Sequence, residues 1–146
     1  MSAVQQVSVF LENKSGRLAD VARVLADSGI NIGALSIADT SDFGILRFIC
    51  SDPDRAARVL RQAGFSVGET EVLAVTVPHR PGGLAELVEA IRPLGANIEY
   101  LYAFMTKLEG SAMVVLRIEG GRDAEVADAL RLAGYHLASA EEAYDF

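Results

Sequence analysis

Hydrophobic positions change their spacing along this chain, and the changes predict alternating strands and helices. In one stretch Leu18, Val21, Ala22 and Leu25 follow the i, i+3, i+4, i+7 spacing that places apolar side chains on one face of a helix. Short apolar runs of strand length flank this stretch and recur after it. Over the first half of the chain, the pattern predicts a strand at Val4–Leu11, a helix at Arg17–Ser28, strands at Asn31–Ala38 and Phe43–Cys50, a helix at Asp52–Gln62 and a short strand at Phe65–Val67.

The second half of the chain repeats the order of the first half. A shift of 66 positions places Gly16 on Gly82, whereas a later shift of 70 positions places Ala63 on Ala133, so the second copy has gained four residues in between. Its predicted elements are a strand at Glu71–Val77, a helix at Gly83–Arg92, strands at Ile98–Met105 and Ser111–Ile118, a helix at Asp123–Leu132 and a strand near Tyr135–Ala138.

The order of elements in each copy predicts an α+β fold with two ferredoxin-like βαββαβ domains, at residues 1–69 and 70–146. Right-handed crossovers place both helices of such a unit on one face of an antiparallel sheet. The only linker candidate between the copies is the short stretch Ser66–Thr70, so we expect the domains to pack on each other.

The helix-free face of each predicted sheet carries more apolar residues than a solvated face would. In the strand Ile98–Met105, Tyr100, Tyr102 and Phe104 lie on one side, and the residues on the other side are also mostly apolar. A local aromatic cluster would explain this pattern, and so would a second sheet that covers the face. We predict a homodimer that forms through the helix-free face.

Composition narrows the possible partners. The chain of 146 residues has 51% hydrophobic residues and a formal net charge of −7, with no basic run. Nucleic acids and anionic membranes are therefore poor partners, because binding them needs clustered Lys and Arg. No apolar run approaches the ~20 residues of a membrane-spanning helix, and the first residues lack the pattern of a secretory leader, so we expect a cytoplasmic protein.

The sequence predicts no metal, no cofactor and no catalytic residues. Cys50 is the single cysteine, so neither an internal disulfide nor a Cys-x-x-Cys metal site can form. His79 and His136 are far apart, and no carboxylate or Cys lies at metal-ligand spacing from them. No Ser-His-Asp order or carboxylate pair stands out from the surface Glu and Asp residues.

One motif occurs in both copies: a polar loop with Gly and then Leu precedes the first helix, and Asn-Ile opens the next strand. The copies read ENKSGRLADVARVLADSGINI at Glu12–Ile32 and PHRPGGLAELVEAIRPLGANI at Pro78–Ile98. Together with the βαββαβ order, this motif resembles the ACT domain, a small regulatory module that binds amino acids. The resemblance covers essentially the whole chain as two tandem copies, and the chain looks like the stand-alone tandem ACT proteins that carry no catalytic domain.

The resemblance implies that the two domains join side by side through an edge strand into one eight-stranded sheet. It also implies a ligand at the seam, between the loop before the first helix of one domain and the start of the second strand of the other. A helix N-terminus favours a carboxylate, and an Asn amide oxygen can accept a hydrogen bond from an α-ammonium group. The implied ligand-binding residues are Asn13, Lys14, Ser15, Gly16, Arg17, Leu18, Asn31 and Ile32 in the first copy and His79, Arg80, Pro81, Gly82, Gly83, Leu84, Asn97 and Ile98 in the second.

Each of these features also has an ordinary structural explanation. The first loop fits a plain strand-to-helix turn with Ser15 as the N-cap, and Asn31 and Asn97 fit turn residues. The loop is not a Walker phosphate loop, because G-x-x-x-x-G-K-[ST] is absent. The two loops differ in their polar residues, which indicates either two unequal pockets or one pocket in use.

The predicted function is that of a non-catalytic sensor, in which a bound amino acid regulates an unknown partner protein. One alternative is a constitutive scaffold subunit with degenerate pockets. Another is a small enzyme on a ferredoxin-like fold, but the chain lacks the Gly-rich loop with an adjacent Arg that acylphosphatases use. RNA recognition, which shares the topology, is disfavoured by the acidic charge.

Overall fold

A computed structural model gives the fold and describes residues 3–39 and 42–145. The chain divides into two compact units, which we name the first repeat (Gln5–Thr70) and the second repeat (Glu71–Tyr144). The strands are β1 (Val4–Glu12), β2 (Ile32–Asp39), β3 (Phe43–Cys50), β4 (Ser66–Pro78), β5 (Ile98–Met105), β6 (Ser111–Ile118) and β7 (His136–Leu137). The helices are α1 (Arg17–Asp27), α2 (Pro53–Gln62), α3 (Gly83–Ile91), α4 (Asp123–Leu132) and α5 (Ala140–Tyr144).

In the first repeat, β3 pairs antiparallel with β1 on one side and with β2 on the other. The register places Val9 opposite Leu46, and both side chains lie on the face that α1 and α2 cover. Alternate residues of a strand point to opposite faces, so every second residue of each strand enters this core. The core contains Val7, Val9, Leu11, Val21, Leu25, Leu46, Phe48 and Leu60 among its buried residues.

The second repeat is built in the same way. β6 pairs antiparallel with β4 and with β5, and β7 pairs with β4 through Val75 and Leu137. Helices α3 and α4 cover one face, because their apolar stripes pack on the buried residues of β4 and β6. The core contains Val75, Val77, Leu87, Ile91, Val114, Leu116, Ile118, Val126 and Leu130 among its buried residues.

The predicted α+β fold with helices on one face of an antiparallel sheet is confirmed in each repeat. One difference concerns Ser66–Thr70, which is not a linker but the first part of the single strand β4. The stretch contains Gly and several polar residues, so its composition favours a loop, whereas strand pairing depends on partners distant in sequence.

The domain boundary at residues 69 and 70 stays a prediction, because β4 runs across it without a break. The side-by-side sheet of eight strands also stays a prediction.

The four additional residues of the second repeat are divided equally between two connections. Three residues, 40–42, separate β2 from β3, whereas five residues, 106–110, separate β5 from β6. The polar residues at 39–42 predict a turn, and residues 40 and 41 of it lie outside the described residues. The β3–α2 connection comprises residues 51–52, whereas the β6–α4 connection comprises residues 119–122 and is also two residues longer. β2, β3 and α2 of the first repeat have the same lengths as their counterparts β5, β6 and α4 in the second repeat.

The helix-free face is partly buried within the single chain. In the second repeat, Met113 and Val115 lie on this face and are buried, while Tyr100, Tyr102 and Phe104 beside them on β5 are half-buried. The homodimer through this face stays a prediction. No helix formed by residues 3–39 or 42–145 is long and apolar enough to span a membrane.

Candidate functional site

The two predicted ligand loops have the same backbone conformation at their ends. Gly16 and Gly82 each have φ 89° and ψ −12°, in the left-handed region that glycine adopts without a steric penalty. Each glycine is the N-cap of the following helix, since the Gly16 carbonyl accepts from the Asp20 N–H at 3.0 Å and the Gly82 carbonyl from the Glu86 N–H at 2.9 Å. The repeat has therefore kept the loop shape while the polar residues changed.

The first turn of each helix is left without a side-chain cap. The alternative in which Ser15 is the N-cap of α1 is wrong, because Gly16 holds that position and makes no side-chain hydrogen bond. The N–H groups of Leu18 and Ala19 in α1, and of Leu84 and Ala85 in α3, have no acceptor inside their helices. Together with the helix dipole, these donors favour a bound carboxylate.

A cavity of about 170 Å³ lies beside the loop of the second repeat. The predicted site residues His79, Arg80 and Leu84 form part of its wall, and Leu101 and Ala103 of β5 form another part. The remaining lining residues are Val77, Pro78, Ala112 and Val114. The cavity thus combines a polar loop with an apolar floor of strand residues.

Sequence reasoning missed Leu101 and Ala103 as site residues. They enter the cavity because β5 pairs with β6 in a register that sets Leu101 opposite Leu116 and Ala103 opposite Val114. Aligning the two repeats gives one sequence clue to this cavity, since the counterpart of Ala103 in the first repeat is the larger Ile37. Ile37 is exposed on β2, as is its neighbour Leu35.

Arg80 is held at the cavity wall by an ion pair. Its Nη1 and Nη2 atoms donate to the two carboxylate oxygens of Glu86 at 3.1 and 3.0 Å, and Nη1 also reaches the Pro81 carbonyl at 3.4 Å. Both partners of the ion pair are about half exposed, so the pair orients the guanidinium more than it stabilises the fold. The helix N–H groups remain available for a carboxylate, because Glu86 does not accept from them.

The charged residues of the first loop pair within their own repeat. Lys14 Nζ lies 2.8 Å from a Glu12 carboxylate oxygen, and this hydrogen bond lowers the pKa of Glu12. The Arg17 guanidinium lies over the Phe65 ring, 4.7 Å from its centroid, and pairs with Asp20 at 3.2 Å. These contacts place Lys14 and Arg17 on different neighbours, so the first loop does not gather its cations at one point.

The other predicted ligand-binding residues are spread over several elements. Asn31 and Asn97 stand beyond the C-terminal ends of α1 and α3, and the 11 residues of α1 alone span roughly 16 Å. The Asn97 side chain donates to the Glu119 carboxylate at 2.7 Å, and the Asn31 N–H donates to the Ser51 hydroxyl at 3.1 Å. Within its own repeat, neither Asn is close to the loop. Exposed residues of the loops are Asn13, Ser15, Gly16, Pro81 and Gly82, whereas Gly83 is buried and Ile32 and Ile98 pack against the two cores.

Metal and thiol chemistry find no support in the described part of the chain. No group of three or more His, Cys, Asp or Glu side chains among residues 3–39 and 42–145 is placed to hold a metal ion. Cys50 is fully buried, and burial raises the pKa of its thiol to about 11, against a smaller lowering by the backbone hydrogen bond at Asp52. The thiol is therefore protonated and shielded in the folded protein.

Comparisons with known proteins agree with this architecture. A family model described as an ACT domain pair matches residues 2–133. The crystal structure of protein BT0572 from Bacteroides thetaiotaomicron is 40% identical, with a TM-score of 0.90, over 99% of this chain and 97% of that chain. No curated protein sequence matches this chain.

More distant structures share the fold alone. The regulatory subunit of aspartate kinase from Thermus thermophilus is 17% identical, with a TM-score of 0.66, over 90% of this chain and 93% of that chain. The corresponding subunit from Thermus flavus is 18% identical, with a TM-score of 0.63, over 92% of this chain and 94% of that chain.

Proposed function

Because this chain belongs to the ACT domain pair family, we propose that it is a non-catalytic regulatory protein that binds a small amino acid. Its likeness to regulatory subunits of aspartate kinase supports this role, since those chains match it over nearly their whole length. The observation that carries the proposal is the cavity of about 170 Å³ beside the uncapped N-terminus of α3.

The cavity supplies a partner for each part of an amino acid. The ligand carboxylate accepts from the N–H group of Leu84, which lines the cavity, and the helix dipole adds to the attraction. The ligand side chain packs on Leu101 and Ala103, which form the apolar part of the wall. Pro78 lines the same cavity, and its carbonyl oxygen retains a lone pair for the α-ammonium group beyond the bond from the Arg80 N–H.

The volume of the cavity suits a small molecule. Its volume of about 170 Å³ equals the volume of roughly six waters in the liquid. Regulation requires that the ligand bind one state of the protein more tightly than another, and a partner protein then responds to the state that is favoured. The contributions of Asn31 and Asn97 to ligand binding stay predictions.

Thermal unfolding in the presence of each of the twenty amino acids tests the proposal. A specific ligand at a hundred times its dissociation constant stabilises the folded protein by about 2.7 kcal/mol and raises the unfolding temperature. If no amino acid at millimolar concentration raises it, the chain is not an amino-acid sensor, and the scaffold alternative is favoured.

A matched pair of variants tests the cavity itself. Ala103→Ile fills the apolar wall with the residue that the first repeat carries at this position, and we expect it to abolish the ligand-induced stabilisation. Ile37→Ala makes the converse change in the first repeat, and binding should stay at the parent level. Parent-like binding by the Ala103→Ile protein would show that the ligand occupies another place.

A further inference from the structure

Helices α2 and α4 are equivalent elements of the two repeats, and their exposed faces carry opposite charges. The shift of 70 positions that relates the two helices places Arg55 on Glu125 and Arg58 on Asp128. All four residues are exposed. The sign of the charge is therefore reversed at two positions that water reaches in both repeats.

The reversal is confined to the exposed faces of the two helices. The positions that face the cores keep apolar residues, since Ala57 corresponds to Ala127 and Leu60 to Leu130, and all four are buried. Packing within each repeat explains these buried residues, because both helices need an apolar stripe against their sheet. It does not explain the charges, since the same helix is formed with either sign.

The two arginine side chains of α2 are free to bind a further group. Among residues 3–39 and 42–145, neither the Arg55 nor the Arg58 guanidinium makes a hydrogen bond or an ion pair, and only the backbone N–H of Arg55 is bonded, to the Asp52 carboxylate at 3.2 Å. Residues three apart are neighbours on one side of a helix. The first repeat thus presents two adjacent guanidinium groups, which suit carboxylates because two parallel hydrogen bonds can form to each.

The two carboxylates of α4 have partners in their own repeat but keep capacity for more. Glu125 accepts from two nitrogens of Arg122 at 2.7 and 2.9 Å, and Asp128 pairs with Arg131 at 3.2 Å. A carboxylate offers about four lone-pair sites on its two oxygens. Because both residues are exposed, each can accept hydrogen bonds from a second arginine without losing the first.

An exposed leucine extends the same face of α4. Leu132 follows Glu125 and Asp128 at the i+7 and i+4 spacings, which place all three on one side of the helix. Its exposure of 91% is the highest among the large hydrophobic side chains of residues 3–39 and 42–145. A protein surface that covers Leu132 would therefore add apolar burial to the pairing of charges.

A second copy of the chain carries the surface that matches α2. Three residues of a helix span about 4.5 Å along its axis, so the arginine pair and the carboxylate pair have the same spacing. The first repeat has seven Lys and Arg against eight Asp and Glu, whereas the second repeat has six against eleven. Contact between the first repeat of one copy and the second repeat of another therefore avoids the repulsion that two acidic repeats would suffer.

We propose that α2 of one copy binds α4 of a second copy, with Arg55 and Arg58 on Glu125 and Asp128 and with Leu132 covered by the contact. A single exposed ion pair contributes little, but two pairs at matched spacing select one partner surface over others. The contact uses helix faces, so it differs from the homodimer that the sequence predicts at the helix-free face. It does not depend on the binding of an amino acid.

Two charge-reversed chains test the proposal by sedimentation velocity over a range of protein concentrations. Arg55→Glu with Arg58→Asp gives α2 the charges of α4, and Glu125→Arg with Asp128→Arg gives α4 the charges of α2. Each reversed chain alone should associate about tenfold more weakly than the parent or worse, because like charges then meet. An equimolar mixture of the two should associate as the parent does, because every acidic pair again finds an arginine pair. Parent-like association of either reversed chain alone, a mixture that does not recover, or a parent that stays monomeric would overturn the proposal.

Matched controls separate this contact from an effect of net charge or of exposed leucines in general. Arg23→Glu with Arg92→Glu changes the net charge as much as the α2 reversal does, at exposed arginines outside α2 and α4, and should leave association at the parent level. Leu132→Gln introduces the residue type of the α2 counterpart and should weaken association, whereas Leu108→Gln, at a leucine that is 68% exposed, should not. Equal losses in a variant and its control would contradict the contact.

Ionic strength provides a further readout that needs no substitution. Salt at 1 M shortens the Debye length to about 3 Å, so the parent should associate about tenfold more weakly there than at 0.15 M. Stronger association at 1 M would indicate an apolar contact and would overturn the proposal. Far-ultraviolet circular dichroism identifies any variant that does not fold. The α2 reversal should fold, since a carboxylate at position 55 lies in the first turn of its helix, and its loss of association then decides.

Discussion

Gly83 packs directly against the carbonyl group of Pro78, and a Cβ atom at Gly83 would overlap the Pro78 oxygen. We expect Gly83→Ala to destabilise the protein by about 1–3 kcal/mol, because the added methyl group must displace backbone. Chemical denaturation gives this free energy of unfolding. The control is Gly68→Ala, where an added Cβ atom has no neighbour within 4 Å; equal stability of Gly83→Ala and the parent would contradict the contact.

The left-handed loop glycines should also resist substitution. Gly16 and Gly82 have positive φ, so an alanine at either position is strained even where space is open, at a cost of about 1–2 kcal/mol. Gly68 in β4 lacks the positive φ and has open space around its Cα, so Gly68→Ala should be neutral or slightly stabilising. The three variants are compared by denaturant midpoint. A loss at Gly68 as large as those at the loops would refute the conformational explanation.

The sequence predicted most elements closely because their signals are local. The observed bounds of β3, β5, β6 and α4 equal the predicted ones, since alternation and helical spacing can be read within each segment. The helix predicted at Gly83–Arg92 ends one residue earlier, at Ile91, because Pro93 has no N–H group to continue the ladder.

The short helix α5 was not predicted. The last element that the sequence pattern predicts is the strand near Tyr135–Ala138, but Ala140–Tyr144 forms α5 after it. A capping box forms there, as the Glu142 N–H donates to the Ser139 hydroxyl and the Ser139 N–H donates to the Glu142 carboxylate, both at 3.3 Å. The Ser-x-x-Glu spacing was visible in the sequence, but a helix of five residues has almost no periodicity.

The candidate site was predictable only in part. Both loops can be recognised in the sequence, because each has a glycine just before a predicted helix and the motif occurs in both repeats. The cavity walls are not visible, because Leu101 and Ala103 reach the loop through strand pairing, which joins residues distant in sequence. The contact between the Arg17 guanidinium and the Phe65 ring likewise joins residues distant in sequence, and no sequence pattern reports it.

Two leucines of α3 should differ in their roles. Leu87 is fully buried in the core of the second repeat, so Leu87→Ala should lower the free energy of unfolding by about 2–5 kcal/mol. Leu84 is 48% exposed and lines the cavity, so Leu84→Ala should change stability little but weaken the binding of the amino acid found by thermal unfolding. Calorimetric titration checks the affinity. Strong destabilisation by Leu84→Ala would contradict its position.

Asp123 should make stability depend on pH in an unusual direction. Burial raises the pKa of its carboxyl group; Arg117 at 3.5 Å opposes this effect, and the charges of Glu71 and Glu99 add to it. The folded state then holds this proton more tightly than the unfolded state does. This contribution is most favourable below the unfolded pKa of about 3.9 and is lost as pH rises through the folded pKa.

Asp123→Asn removes this titration. The stability of the variant relative to the parent should therefore increase as pH rises from about 3 to 7, which denaturation at a series of pH values measures. The exposed Asp128→Asn substitution on the same helix serves as the control and should show a smaller change. A relative stability of Asp123→Asn that is constant or falls with pH would contradict the burial effect.

Cys50 should react only when the first repeat opens. The thiol is fully buried and its pKa is raised to about 11, so a thiol reagent at pH 8 finds little thiolate and no access. Leu25→Ala, in the same core, should speed labelling because it lowers the cost of opening. Leu18→Ala, at an exposed position of the same helix, should not. Fast labelling of the folded parent would disprove the burial of Cys50.

The unequal connections of the two repeats also matter for protein engineering. The turn at residues 106–110 and the connection at 119–122 each differ by two residues from their counterparts, while β5, β6 and α4 beside them have the same lengths as β2, β3 and α2. The fold therefore already exists with two lengths at each of these points. A fluorescent tag or an inserted reporter peptide is best placed there, where extra chain leaves the helix-bearing sheet and its buried side chains intact.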